Sequence, residues 1–292
     1  MIDNATDGIV LLNKAVGVSS NQALQKVKRL FKAKKAGHTG SLDVLASGML
    51  PICLGEAVKF SRFLLDADKS YQTTLRFGQT TDTYDAEGDI ISSASTTAIT
   101  RTDIEQTLTQ FRGDLKQTPP MFSALKHKGQ PLYKLARQGI HIERPARHVS
   151  IYRLELLAWD NPDLTLAIHC SKGTYIRSLA YDIGMALGCG GHVLRLHRTA
   201  VNGYNSAQMF SLEQLAELDK STLRPVDDML TDYAILELND EQYARLYKGQ
   251  KQMVDQTTAQ GLFRLYYNNR FIGLGDIENH ILKAKRLLQF FS

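Results

Sequence analysis

The chain's densest concentration of reactive groups is the string Gly37-His38-Thr39-Gly40-Ser41-Leu42-Asp43, which continues as Val44-Leu45-Ala46-Ser47-Gly48-Met49-Leu50. One imidazole and one carboxylate stand among glycines, side-chain types that serve as acid, base or nucleophile. Composition alone favours a plain turn, since glycine-rich loops most often serve that purpose. Without a G-K-[ST] ending or a G-x-G-x-x-G pattern, the string is no cradle for nucleotide phosphates. Other constellations fail sooner. His141-Ile142-Glu143 is followed by no P-C-x-x-C, and His192 with His197 lacks the i, i+4 spacing of a metalloprotease helix, so no metal is expected. Cys53, Cys170 and Cys189 are far apart and form no C-x-x-C pair. They read as reduced core or near-site thiols, not as a disulfide framework.

The elements that must position such a loop are a mixture of α and β. A strand is expected at Ile9–Asn13, then a helix capped by Ser20 that buries Ala23, Leu24, Val27, Leu30 and Phe31. After the glycine-rich stretch comes an amphipathic helix around Glu56–Leu65, and then a strand in which Tyr71, Thr73, Leu75 and Phe77 share one side. Thr102 with Glu105 makes a capping-box pattern before Ile104, Leu108 and Phe111, with Gly113 as the stop. His148–Trp159 and Leu164–Cys170 form a hairpin about Pro162. A helix is expected from Thr174 to Leu187 and a strand over Gly190–Thr199. Looser text around Thr222–Tyr233 divides the chain into residues 1–230 and 231–292. The second part carries a strand at Ile235–Leu238, a helix from Asn239 to Tyr247, and strands at Leu262–Tyr267, Phe271–Ile277 and Leu282–Phe290. That pattern suggests a small β-rich domain.

At 292 residues, 43% hydrophobic and 22% charged, the chain is long enough for two unequal domains and too apolar to be disordered. Lys and Arg number 35 against 30 Asp and Glu, a net +5 that leans toward a polyanionic partner. Residues 1–12 carry Asp3 and Asp7 and only a four-residue apolar run, unlike a signal peptide. No apolar run approaches 18 residues, so no membrane span and a cytoplasmic address are expected. The sequon Asn4-Ala5-Thr6 then has no use.

In order and spacing, the string G-H-x-G-x-L-D followed by x-x-A-x-G-x-L resembles the signature of the TruB family, whose members convert a uridine of the tRNA T-loop into pseudouridine. Further segments are similar to the same family in the same order: Leu11-Leu12-Asn13-Lys14; Lys69-Ser70-Tyr71; Gly78 with Thr81-Asp82-Thr83 and Asp85; Pro119-Pro120-Met121-Phe122-Ser123; and Lys172-Gly173-Thr174-Tyr175-Ile176-Arg177. The resemblance covers roughly residues 8–210. Phe271-Ile272-Gly273-Leu274-Gly275 loosely resembles the small RNA-binding PUA domain that ends many bacterial members. Two departures stand out: Ala15 and Val44 occupy positions where the family usually has proline, and Val44 loosens the backbone beside Asp43.

The resemblance implies an α+β fold: a pseudouridine synthase catalytic domain with a mixed, mainly antiparallel sheet flanked by helices, plus a C-terminal PUA-like domain. It implies cofactor-free isomerisation of the uridine at position 55, with the tRNA T-loop and T-stem as partner and no obligatory protein partner. Asp43 would be the nucleophile at C1′ or the base at C2′, two routes that the residues leave open. Arg177 would keep that carboxylate charged and oriented. Tyr71 would stack on the flipped base, and its hydroxyl would take the C5 proton. His38 would fill the space left by the flipped nucleotide. Tyr175 and Leu196 would wall the pocket, Lys14 and Lys59 would be basic neighbours, and Lys172 would meet backbone phosphate. Two rival readings remain: the same chemistry on another RNA, as in guide-RNA relatives, and a tRNA-binding or folding module without turnover.

Overall fold

A computed structural model describes residues 6–289. The sequon at Asn4 and the last residue of the expected strand ending at Phe290 lie outside the described residues.

The larger sheet is mixed and mainly antiparallel, flanked by helices. Its strand order is Gly8–Lys14, Ser47–Leu54, Gly191–Val201, Lys69–Phe77, Asp163–Cys170, Arg147–Asp160 and Gly113–Gln117. Along that path only Ser47–Leu54 and Gly191–Val201 run parallel, over His197 opposite Ser47 and Arg198 opposite Gly48. The Lys69–Phe77 strand is central: its odd residues from Tyr71 to Phe77 are aromatic, apolar or small and all buried. Tyr71 lies opposite Arg198 on one neighbour and Ile168 on the other.

The Ser47–Leu54 strand was not expected, and its burial explains why. Seven of its eight residues are buried. Leu50, Ile52 and Leu54 join the main core with Ala23 and Val27. Met49 and Cys53 join a second core with Phe60 and Leu274. A strand covered on both faces shows no alternation to read.

Several boundaries differ from expectation for local reasons. Ser19, not Ser20, caps the Ser20–Leu30 helix through a box with Gln22, and Leu30 ends up 36% exposed, past the buried stripe. The later capping box pairs Thr100 with Asp103, and that helix ends at Thr109, before Gly113 opens a strand. The Glu56–Leu65 region is a 3-10 turn over Gly55–Phe60 followed by the short helix Ser61–Leu65. The Ile176–Ala186 helix begins after Tyr175 rather than at Thr174. There the missing cap is supplied from across the sheet edge: Gln117 Oε1 accepts from the Tyr175 amide at 2.7 Å, and its Nε2 donates to the Tyr175 carbonyl at 3.1 Å. The three cysteines are free and buried.

A second, five-stranded sheet is built from Ile235–Glu237, Gly261–Tyr267, Arg270–Glu278, Ile281–Leu287 and Gln252–Met253. Asn239 caps the Asp240–Tyr247 helix, which packs Leu246 onto Phe263, Leu265 and Leu282. The region expected to be loose is pinned instead. Val226–Leu230 forms a 3-10 turn, and buried Asp227 lies 3.3 Å from Nη1 of Arg264 in the second sheet. Phe60 and Phe271 bring the two sheets' residues into ring contact at 5.6 Å.

Candidate active site

Asp43 sits in the loop between Ala36–His38 and Ser47–Leu54. Buried Leu42 anchors that loop, because Ser20 Oγ accepts from the Leu42 amide at 2.8 Å and donates to its carbonyl at 3.0 Å. The Val44 carbonyl accepts from the Gly17 amide at 2.8 Å, and the Ala46 amide donates to the Asp43 carbonyl at 3.1 Å. The turn that proline would stiffen is therefore held by the Ser20 hydroxyl at Leu42 and by backbone bonds at Asp43 and Val44.

Arg177, the second residue of its helix, meets Asp43 with two nitrogens. Nη2 donates to Oδ1 at 3.0 Å, and Nε lies 2.8 Å from Oδ2. The same guanidinium donates to the carbonyls of Thr83 at 3.0 Å and Phe122 at 2.8 Å, and Nε lies 3.5 Å from Oδ2 of Asp85. Three separate chain segments thus converge on one fork, which suits a planar group with donors at fixed angles. Asp85 is buried and held in turn by Thr83 Oγ1 at 2.7 Å and by the Glu87 amide at 3.0 Å.

Burial pushes the Asp43 carboxyl up from the usual carboxylate range; Arg177 pulls it back and the neighbouring Asp85 adds to the rise. Glu87 is raised for related reasons, burial first and then Asp85 and Asp43. Lys14 belongs to this cluster. Its buried ammonium donates to the carbonyls of Ala15 at 2.9 Å and Val18 at 2.7 Å, and burial lowers it to about 8 even though Asp43 and Glu87 favour its charge.

Tyr71 is 9% exposed, and burial raises its phenol while the charge of Arg198 draws it down. His38 is half-buried with an unpartnered Nδ1 among the described residues. Burial and the Arg198 charge lower its pKa, which suits a neutral stacking ring better than a proton carrier. Tyr175 is half-buried with its hydroxyl against Ser123. Leu196 is buried opposite Thr73 and lines a cavity of about 650 Å³ together with Leu45, Ser47, Gln72, Glu87 and His197. Asp43, Tyr71 and Arg177 are not among the residues that line it.

Two lysines lie elsewhere. Lys59 pairs with Glu56 at 2.5 Å and donates to the Leu287 carbonyl at 3.1 Å, at the seam with the second sheet. Lys172 pairs with Asp66 at 3.0 Å and stays exposed. Sequence reasoning missed Asp85, Glu87 and Arg198 as members of the cluster. Asp85 stood within a matched segment, whereas Arg198 carried no local signal. Among the described residues no group of three or more metal-ligating side chains occurs, and no helix is long and apolar enough to cross a membrane.

Three family models match consecutive stretches: "TruB family pseudouridylate synthase (N terminal domain)" over residues 28–176, "tRNA pseudouridylate synthase B C-terminal domain" over 177–231, and "Pseudouridine synthase II TruB, C-terminal" over 234–288. A protein of Coxiella burnetii (strain RSA 331 / Henzerling II) called "tRNA pseudouridine synthase B" is 50% identical, over 97% of this chain and 95% of its own. A protein of the same name from Haemophilus influenzae (strain PittEE) is 48% identical, over 97% and 95%. Among solved structures, a chain from "Structure of H/ACA RNP bound to a substrate RNA containing 2'-deoxyuridine" superposes with a TM-score of 0.73 at 19% identity, over 98% of this chain and 86% of that one, a likeness of fold. With half-identical relatives along nearly its whole length and the G-H-x-G-x-L-D loop closed onto Arg177, the chain belongs to the TruB family of pseudouridylate synthases.

Proposed function

We propose that this protein isomerises the uridine at position 55 in the tRNA T-loop to pseudouridine, with Asp43 at the reacting sugar. The observation that carries this reading is the contact of Arg177 with both Asp43 oxygens. The reaction breaks the N1–C1′ bond, turns the uracil and joins C5 to C1′, with no redox change. Either attack on C1′ or removal of the C2′ proton needs an ionised carboxylate that still reaches substrate. Asp43 meets that need, because its side chain is 39% exposed whereas that of its partner Arg177 is 6% exposed. Tyr71 stacks on the extruded base and its oxygen receives the C5 proton. His38 fills the gap in the RNA stack, Tyr175 and Leu196 confine the uracil, and Lys14 supplies positive charge beside Asp43. Exposed Lys172 suits a phosphate contact, while Lys59 serves the seam between the two parts of the chain. Residues 1–230 form the catalytic domain, and residues 231–292 form a PUA-like unit that adds RNA contacts.

Incubating the protein with unmodified tRNA and mapping pseudouridine by carbodiimide-stop sequencing tests this. Product at the T-loop position is expected. Product elsewhere would indicate another RNA target, and tight binding without product would indicate a module that has lost turnover.

A further inference from the structure

Arg198 is a cation buried to 2% exposure that makes no ion pair among the described residues. A guanidinium removed from water without a carboxylate is costly unless carbonyl dipoles and a further partner compensate it. Two of its nitrogens are so occupied: Nε donates to the Met49 carbonyl at 2.6 Å and Nη2 to the Gly40 carbonyl at 3.0 Å. Tyr71 stands directly opposite Arg198 in the antiparallel register, so the two side chains share one face of the sheet.

The glycine-rich loop packs closely against this residue, chiefly its backbone. Gly48 has φ +99°, and a Cβ there would lie 2.3 Å from the Arg198 carbonyl oxygen. Gly40 has φ +113°, and a Cβ there would lie 3.6 Å from Nη1 of Arg198. One guanidinium therefore holds the loop that presents Asp43 and stands across the strand pair from the Tyr71 phenol.

We propose that Arg198 is a positioning residue for the last proton transfer of the reaction, holding the Tyr71 oxygen in place and stabilising it as phenolate. The inference rests on the isomerase reading above. Once C5 has joined C1′, the C5–H bond breaks, its electron pair forms the C5=C6 double bond, and the N1=C6 π pair returns to N1. The proton passes to the Tyr71 phenolate oxygen while N1 takes one from water. That phenolate arises when Tyr71 gives its own proton to water ahead of this step, so accepting the C5 proton restores the starting phenol. A fixed positive charge against the phenolate lowers the cost of that form without touching the substrate.

The test is single-turnover pseudouridine formation by wild type, Arg198→Lys and Arg198→Met, on tRNA carrying either uridine or 5-deuterouridine at the target position. Folding is checked by thermal melting and tRNA affinity by filter binding. Both variants should form product about tenfold or more slowly, with affinity within about threefold. A primary deuterium isotope effect absent from wild type should appear in them, because C5 proton removal has become limiting. Arg198→Lys keeps the buried charge and decides the matter if Arg198→Met does not fold. Wild-type rates in the lysine variant would overturn the proposal, and so would equal slowing of light and heavy substrate, the mark of mere structural support. Absence of product from wild type would sink the isomerase reading itself, a different failure from turnover without an isotope effect.

Discussion

The two side chains of the Asp43–Arg177 pair differ sharply in exposure: 6% for the arginine and 39% for the aspartate, with Nε and Oδ2 2.8 Å apart. The guanidinium is built into the protein by the Thr83 and Phe122 carbonyls, while the carboxylate keeps an open side. A pair buried on both sides would be structural; one open only at the carboxylate can orient a reacting group.

Asp43→Asn should lower pseudouridine formation by about 10³-fold or more, while tRNA affinity stays within a few-fold, because phosphate contacts supply most of the binding. Rapid-quench assays alongside filter binding check this. Comparable turnover by the variant would remove Asp43 from its role.

Arg177→Met leaves Asp85 buried without a counter-charge and the Thr83 and Phe122 carbonyls without their donor. A loss of about 3 kcal/mol is expected from stranding a buried charge, read as a lower urea midpoint. Adding Asp85→Asn should recover part of that stability and none of the activity.

Lys14 is held down to about 8 against the ordinary 10.5, chiefly by burial. Between those values the unfolded chain binds the proton that the folded chain has released, so stability rises with pH across that window. Below it the penalty on the charged form is fully present, and above it the penalty is gone. Lys69 is lowered in the same sense, so the readout is the difference between wild type and Lys14→Met. The variant should lose a rise of order 1–2 kcal/mol, measured by urea unfolding at both ends of the window.

Phe271→Ala removes the ring that meets Phe60 and packs on the second core. A cost of about 2–3 kcal/mol is expected. Because that core joins residues of both sheets, calorimetry should show one lowered transition, and a split into two would refute the coupling.

Val44→Pro costs no backbone hydrogen bond, since the Val44 amide donates none among the described residues while its carbonyl still serves Gly17. A gain of about 0.5 kcal/mol in stability is expected from the restricted unfolded chain. A lower thermal midpoint would show that the loop's φ at this position does not suit proline.

What could be read along the chain was whatever its neighbours in sequence decide. The alternation from Tyr71 to Phe77 made a strand, Asn239 began a helix, and the order of residues around Asp43 carried the family resemblance. Local pattern fails where partners are distant. The Ser47–Leu54 strand hid because both its faces are covered, and the Ile176–Ala186 helix starts where Gln117, from another strand, caps it. Asp85, Glu87 and Arg198 joined the site only on folding: Arg177 reaches Asp43 across 134 residues of chain, and Arg198 meets Tyr71 through strand register. The sequence by itself determined which groups are available and the local form of the elements that carry them. The tertiary structure decided which charges share a low-dielectric space, and so which carboxylate is paired and which cation stands alone, because those energies depend on burial and separation in space and not on separation along the chain.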